Sequence, residues 1–143
     1  MDPTRSELPP EAIAFASKMY DAARAGQMDI FQQALPAGLP AGMTNDKGDS
    51  LLMLAAYHGH APLVKLLLSH GADPNSLNDR GQSPLAGAVF KMEDEVVETL
   101  LEGGADPEYG TPSALEAVTL FKQEGKWKGK FEGAKGRGEA GGK

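Results

Sequence analysis

Three histidines, a repeated pair of aspartates and one basic–aromatic run are the residues of this chain whose types and spacing could carry chemistry. His58, His60 and His70 are its only imidazoles. A protein metal site needs three or four converging ligands. His58 and His60, two apart, do not face each other on a helix, and a chain without cysteine has no thiolate to complete a set. No metal is therefore expected. Asp73 and Asp106 invite a paired-carboxylate reading, but each sits in the same run, Gly-Ala-Asp-Pro. A residue that recurs with its turn is turn chemistry. A nucleophile elbow, a phosphate loop and a dinucleotide fingerprint are all missing. The expectation is no catalysis, no cofactor and no small-molecule substrate. The run Lys126-Trp127-Lys128-Gly129-Lys130-Phe131 mixes cations with aromatic rings, which would suit single-stranded nucleic acid gripped by charge and stacking.

The bulk numbers narrow the partners. The 143 residues fit one ordinary domain, and three to four repeat units would fill it. No apolar run approaches the roughly 18 residues of a spanning helix, and the first thirty residues lack a basic-then-apolar signal layout. The chain is expected to be cytoplasmic, with no membrane partner. Six Lys or Arg against two Glu give residues 126–143 a net +4, which leaves −10 on the remainder of a chain whose net charge is −6. An acidic body repels nucleic acid and anionic membrane. Nucleic acid would have to be held by the tail alone.

Whatever these groups do, repeating elements must position them. Moved forward until Gly48 falls on Gly81, the stretch 48–75 lands on its own continuation. The same shift puts Leu52 on Leu85, Ala55 on Ala88, Val64 on Val97 and Leu67-Leu68 on Leu100-Leu101. Gly71-Ala72-Asp73-Pro74 falls on Gly104-Ala105-Asp106-Pro107 unchanged. A fixed period of roughly 20–50 residues marks a repeat architecture. Each unit opens with Asn-Asp-x-Gly, a tight turn in which Gly48 and Gly81 are free to take positive φ. Ser50 and Ser83 then stand at an N-cap, where a hydroxyl can accept from an orphan N–H. Small residues let an inner helix pack closely, Gly59 breaks it, and an outer helix runs from Ala61 to about His70 with Pro62 in its first turn. Gly71 and Gly104 suit the left-handed residue that ends a helix. Leu67 and Leu100 are expected in the core between units.

These residues, with Gly59-His60 and Gly71-Ala72-Asp73-Pro74-Asn75, resemble the ankyrin repeat, and the likeness to a small, bacterial-type member covers roughly residues 14–117. The resemblance implies an all-α solenoid of stacked helix-turn-helix units joined by hairpin-like loops. It implies a non-catalytic module for binding another protein, of a kind the sequence does not name. His60 falls on the family's structural Gly-His position. The family's Thr-Pro-Leu-His box reads Ser50-Leu51-Leu52-Met53 and Ser83-Pro84-Leu85-Ala86, so the histidine that usually braces neighbouring hairpins is missing from both. Partner contacts, by the same resemblance, come from hairpin tips and the exposed end of the inner helix. Those positions are Asp46, Lys47, Asp49, Tyr57 and His58, then Asp79, Arg80, Gln82, Phe90 and Lys91, with Arg24 in the first unit. Tyr57 and Phe90 would stand side by side on the concave face with Arg24 next in line, as in binding hot spots. The alternative is that Phe90 tucks between inner helices as packing.

The ends are read differently. Residues 1–124 form the repeat domain: a capping unit over 9–44, repeats over 45–77 and 78–109, and a truncated unit over 110–124. Residues 1–8 are polar and are expected to be loose. Pro9-Pro10 starts a helix whose apolar face, from Ala12 and Ile13 to Ala23, is expected to be buried. Thr111-Pro112 follows Ser83-Pro84 sooner than the repeat period allows, and Thr111 is expected to cap a last helix with Phe121 on its inner face. Seven of the nineteen residues from 125 to 143 are glycine, which points to a flexible tail. Two functions remain in view: protein binding through tips and concave face, or nucleic-acid binding through that tail.

Overall fold

Proline has no N–H to lose at a helix start, and Pro10 opens the first helix, α1 (Pro10–Ala25), which ends at Gly26 with φ +71°. The computed structural model describes residues 9–140; the expected loose segment 1–8 and the last three positions of the tail lie outside the described residues. A second helix, α2 (Met28–Ala34), completes the first unit. The next units are α3 (Leu51–Tyr57) with α4 (Ala61–Ser69), and α5 (Pro84–Phe90) with α6 (Asp94–Glu102). A fourth pair follows, α7 (Ala114–Leu120) and α8 (Glu124–Glu132). Among the described residues there are no strands, only an isolated bridge between Thr44 and Ser50 at the base of a hairpin.

α1, α3, α5 and α7 touch in succession as an inner row, and α2, α4 and α6 form an outer row behind them. The core is the seam between the rows. Leu67 and Leu100 are fully buried, with Phe31, Leu52, Leu63, Leu85 and Val97. Ser50 and Ser83 cap α3 and α5, their hydroxyls accepting from the N–H groups of Met53 and Ala86 at 3.0 and 3.1 Å.

The hairpins repeat one device. The Asn45 side-chain oxygen accepts from the N–H groups of Lys47 and Asp49, and Asn78 accepts likewise from Arg80 and Gln82. Neighbouring hairpins are then joined without a histidine. Asp79 N–H donates to the Lys47 carbonyl at 3.0 Å, Asn78 Nδ2 to Asp49 at 2.9 Å, and Thr111 N–H to the Gly81 carbonyl at 2.9 Å. Two of these three are main-chain bonds that need no particular side chain, so the hairpins are joined although the box histidine is missing.

Three expectations need correction. The apolar face of α1 is not buried along its length: Ile13 and Phe15 are about half exposed, and burial starts at Met19. At about 1.5 Å per residue, the sixteen residues of α1 outreach the seven of α3, so its first turns have nothing to pack on. The last inner helix is capped by Ser113 and not by Thr111. Ser113 and Glu116 form a reciprocal capping box, with bonds of 3.1 and 2.8 Å. Phe121 follows the end of α7 and is exposed.

The largest departure is the tail. Residues 124–132 form α8, which buries Trp127 and Phe131 to 1% exposure with their rings stacked 6.2 Å apart. Glycine lowers helix propensity, but tertiary burial of two large rings at spacing i, i+4 outweighs it. Beyond α8, the chain folds back on the third unit. Asp106, 2% exposed, accepts from the N–H groups of Glu108, Gly138 and Ala140 at 2.8–3.0 Å. The truncated unit is a full helix pair.

Candidate functional site

Between the hairpin tips and the inner helices runs an open groove. One section of about 580 Å³ is lined by Asp46, Lys47, Asp49, Tyr57, His58, Asp79, Arg80, Gln82 and Phe90, together with Met53, Leu54 and Asn78. Of the eleven positions that the resemblance picked out, only Arg24 and Lys91 are outside this lining. Arg24 lines the adjoining section at the α1 end, about 730 Å³, with Ile13, Tyr20 and Asp46. Lys91 caps the exposed end of α5 beside Phe90. None of the eleven is fully buried; Asp49, Tyr57 and Gln82 are half-buried and the others exposed.

Tyr57 and Phe90 have different roles in this groove. A Cβ on Gly87 would lie 1.7 Å from Cε1 of Tyr57, so the tyrosine ring lies directly on the α5 backbone. Packing between inner helices, the alternative role for Phe90, belongs to Tyr57 instead. Phe90 is 57% exposed and leans edge-on against Phe121, with centroids 5.1 Å apart. Partial burial raises the Tyr57 hydroxyl above its ordinary pKa, nearby Asp49 adds to this and Arg80 opposes it. His58 is held below its ordinary value, first by partial burial and then by His60, Lys91 and Arg24, with Glu93 acting against them.

Sequence reasoning missed the continuation of this surface. Leu120, 65% exposed, ends α7 as Phe90 ends α5. With Phe121, Pro112 and Tyr57 it lines an apolar recess of about 180 Å³ that contains Phe90. The signal was present, but the register that carries Tyr57 to Phe90 overshoots Leu120; only the shortened last interval reveals it.

The remaining candidates resolve into structure. His60 Nε2 donates to the Arg24 carbonyl at 2.7 Å, tying the second unit to the end of α1, and His70 caps α4. Among the described residues no three His, Asp or Glu converge as metal ligands. Asp73 accepts from the Asn75 N–H at 2.9 Å, as a turn residue does. Along the tail, Lys126 pairs with Asp94, Lys130 with Glu98 at 3.4 Å, and Arg137 with Glu108 at 2.6 Å. Trp127 and Phe131 are in the core, so neither ring is available to stack on a base. With the rings buried and three of the tail's cations paired, nothing in this arrangement favours nucleic-acid binding by the tail. No described helix is long and apolar enough to cross a membrane.

Comparison with known proteins agrees with the repeat fold. The family model for ankyrin repeats in three copies matches residues 19–110. A Pseudomonas aeruginosa protein described as an ankyrin repeat protein is 49% identical over 65 residues, which is 46% of this chain. The match spans only 38% of that relative's own length. Ankyrin repeats generally act as protein–protein interaction modules, and the family is typically non-enzymatic. The chain belongs to the ankyrin repeat family.

Proposed function

We propose that this protein binds a protein partner in the groove between its hairpin tips and inner helices, without catalysis. One observation carries the reading: residues from two hairpins and two inner helices, far apart in sequence, line one continuous open recess. The stacked units fix that recess before the partner arrives, so little conformational entropy is lost on association. Phe90 is the expected anchor, being large, aromatic, exposed and held by Phe121 alone among ring contacts.

The test is affinity capture from cell extract with the full chain, set against Phe90→Ala. Tyr57→Ala is a poor probe, because removing its ring from Gly87 disturbs the packing of α3 on α5. A hot-spot truncation costs about 2 kcal/mol or more, enough to weaken capture by well over tenfold. A partner retained equally by both chains would move the site away from this groove.

A further inference from the structure

We infer that residues 133–140 form a strap that opens and closes over the turn after α6 independently of α8, with the Asp106 carboxylate as its keeper. Closed, the strap masks the turn of the third unit. Open, it leaves that turn as accessible as its counterpart in the second unit, so the strap governs what can reach it.

The turn Gly-Ala-Asp-Pro occurs in this chain both uncovered and covered. After α4, Asp73 is exposed, and its carboxylate accepts from the Asn75 N–H at 2.9 Å. After α6, Asp106 makes the matching bond to the Glu108 N–H, also at 2.9 Å. The strap adds two more. Gly138 N–H donates to one carboxylate oxygen at 2.8 Å, and Ala140 N–H to the other at 3.0 Å. Asp106 is 2% exposed and Pro107 is buried beside it, whereas Pro74 in the uncovered turn is half-buried. A carboxylate taken out of water must have its oxygens bonded, and the strap's amides meet that need. When the strap leaves, the turn keeps its local bond, as Asp73 does without a strap. Opening therefore costs the strap's own attachments and no more of the fold.

Those attachments are few and polar. Residues 133–140 read Gly-Ala-Lys-Gly-Arg-Gly-Glu-Ala, with no large apolar side chain. Among them only Gly136 is buried, where a Cβ would lie 2.1 Å from the Gly104 carbonyl oxygen and 2.9 Å from that of Ala105. Both neighbours are backbone atoms, which cannot swing aside as a flexible side chain would, so only glycine lets the strap lie this close. Arg137 pairs with Glu108 at 2.6 Å, but at side-chain exposures of 45% and 37% an ion pair adds little. α8, by contrast, is held by two rings in the core, Trp127 and Phe131. A segment with few buried apolar contacts next to a well-packed helix is where local opening separates from global unfolding.

The test is amide hydrogen exchange, read by NMR on the full-length chain and three variants. Asp106→Ala removes the keeper and Gly136→Ala blocks the seat. Gly133→Ala is the control, since its added Cβ would meet no atom closer than 3.5 Å. In the unaltered chain the Gly138 and Ala140 amides are expected to be protected. Asp106→Ala and Gly136→Ala should each speed their exchange by about tenfold or more, because each forfeits two hydrogen bonds to a charged group. Gly133→Ala should leave it unchanged. Because Gly136→Ala keeps Asp106 in place, it separates loss of the strap from damage to the turn. In all four proteins the Trp127 indole signal and the exchange of the α8 amides should stay the same. Unprotected Gly138 and Ala140 amides in the unaltered chain would overturn the closed strap. Faster exchange in α8 along with the strap would overturn its independence. Exchange indifferent to Asp106→Ala would remove Asp106 as the keeper, and equal effects of Gly133→Ala and Gly136→Ala would remove the seat on Gly104.

Discussion

Gly26, Gly59, Met92 and Lys122 hold the same place in successive units, where the chain leaves the inner helix with φ of +71°, +79°, +59° and +57°. Two of the four are not glycine. At 26 and 59 a Cβ would also crowd the next unit, lying 2.5 Å from the His60 ring or from the Glu93 carboxylate, the latter a flexible group that can shift. The residue after each turn reaches back over the preceding unit, as His60 does to the Arg24 carbonyl and, at 3.5 Å, Gln123 does to that of Val89. Met92, 64% exposed, and Lys122, also exposed, have little side-chain burial to offset the backbone strain. A left-handed L-residue costs about 1–2 kcal/mol, and the freedom glycine adds to the unfolded chain gives back about 0.4–1 kcal/mol. Met92→Gly should therefore stabilise the protein by about 0.5–1 kcal/mol, read as a higher urea midpoint at unchanged slope. A lower midpoint would mean that the methionine side chain makes a stabilising contact.

At the scale of elements, what was legible in the sequence was what local chemistry dictates. Asn45 and Asn78 close their hairpins, Ser50 and Ser83 cap their helices, and Pro62 opens α4, each through groups within a few residues. The groove was legible for a related reason: a strict period carries each exposed position to its neighbour. α8 was hidden because its reasons are not local. Gly125 and Gly129 argue against a helix, and Lys126 and Lys130 look like tail charge until Asp94 and Glu98, one unit earlier, are placed opposite them. Exposed ion pairs of this kind are worth about 0–1 kcal/mol each, so burial of Trp127 and Phe131 must hold α8 in place. Trp127→Ala should cost about 3–5 kcal/mol. The charge variant Lys126→Gln with Lys130→Gln should cost about 1 kcal/mol or less. Thermal melts of the two separate these terms, and comparable losses would mean that the ion pairs and not the rings hold the helix.

The described units form a short one-dimensional stack whose main contacts are between neighbours, so its cooperativity depends on interfaces being stronger than units. No helix pair here can bury its own apolar face. Leu67 is enclosed only because the second unit lies between the first and third, and Trp127 only because α8 closes on the body. That arrangement predicts all-or-none unfolding, and the chain carries its own reporter. Trp127 is its single tryptophan and lies in the last unit, whereas Leu67 is two units away. Leu67→Ala should cost about 2–5 kcal/mol, a large share of the roughly 5–15 kcal/mol typical of a domain. If the interfaces dominate, the tryptophan fluorescence transition and the far-UV circular dichroism transition should fall to the same lower temperature in this variant. If the units are independent, the fluorescence midpoint should stay where it is in the unaltered chain while the circular dichroism curve broadens. The distinction matters for the proposed binding, because a groove assembled from several units keeps its shape only as long as the stack unfolds as one body.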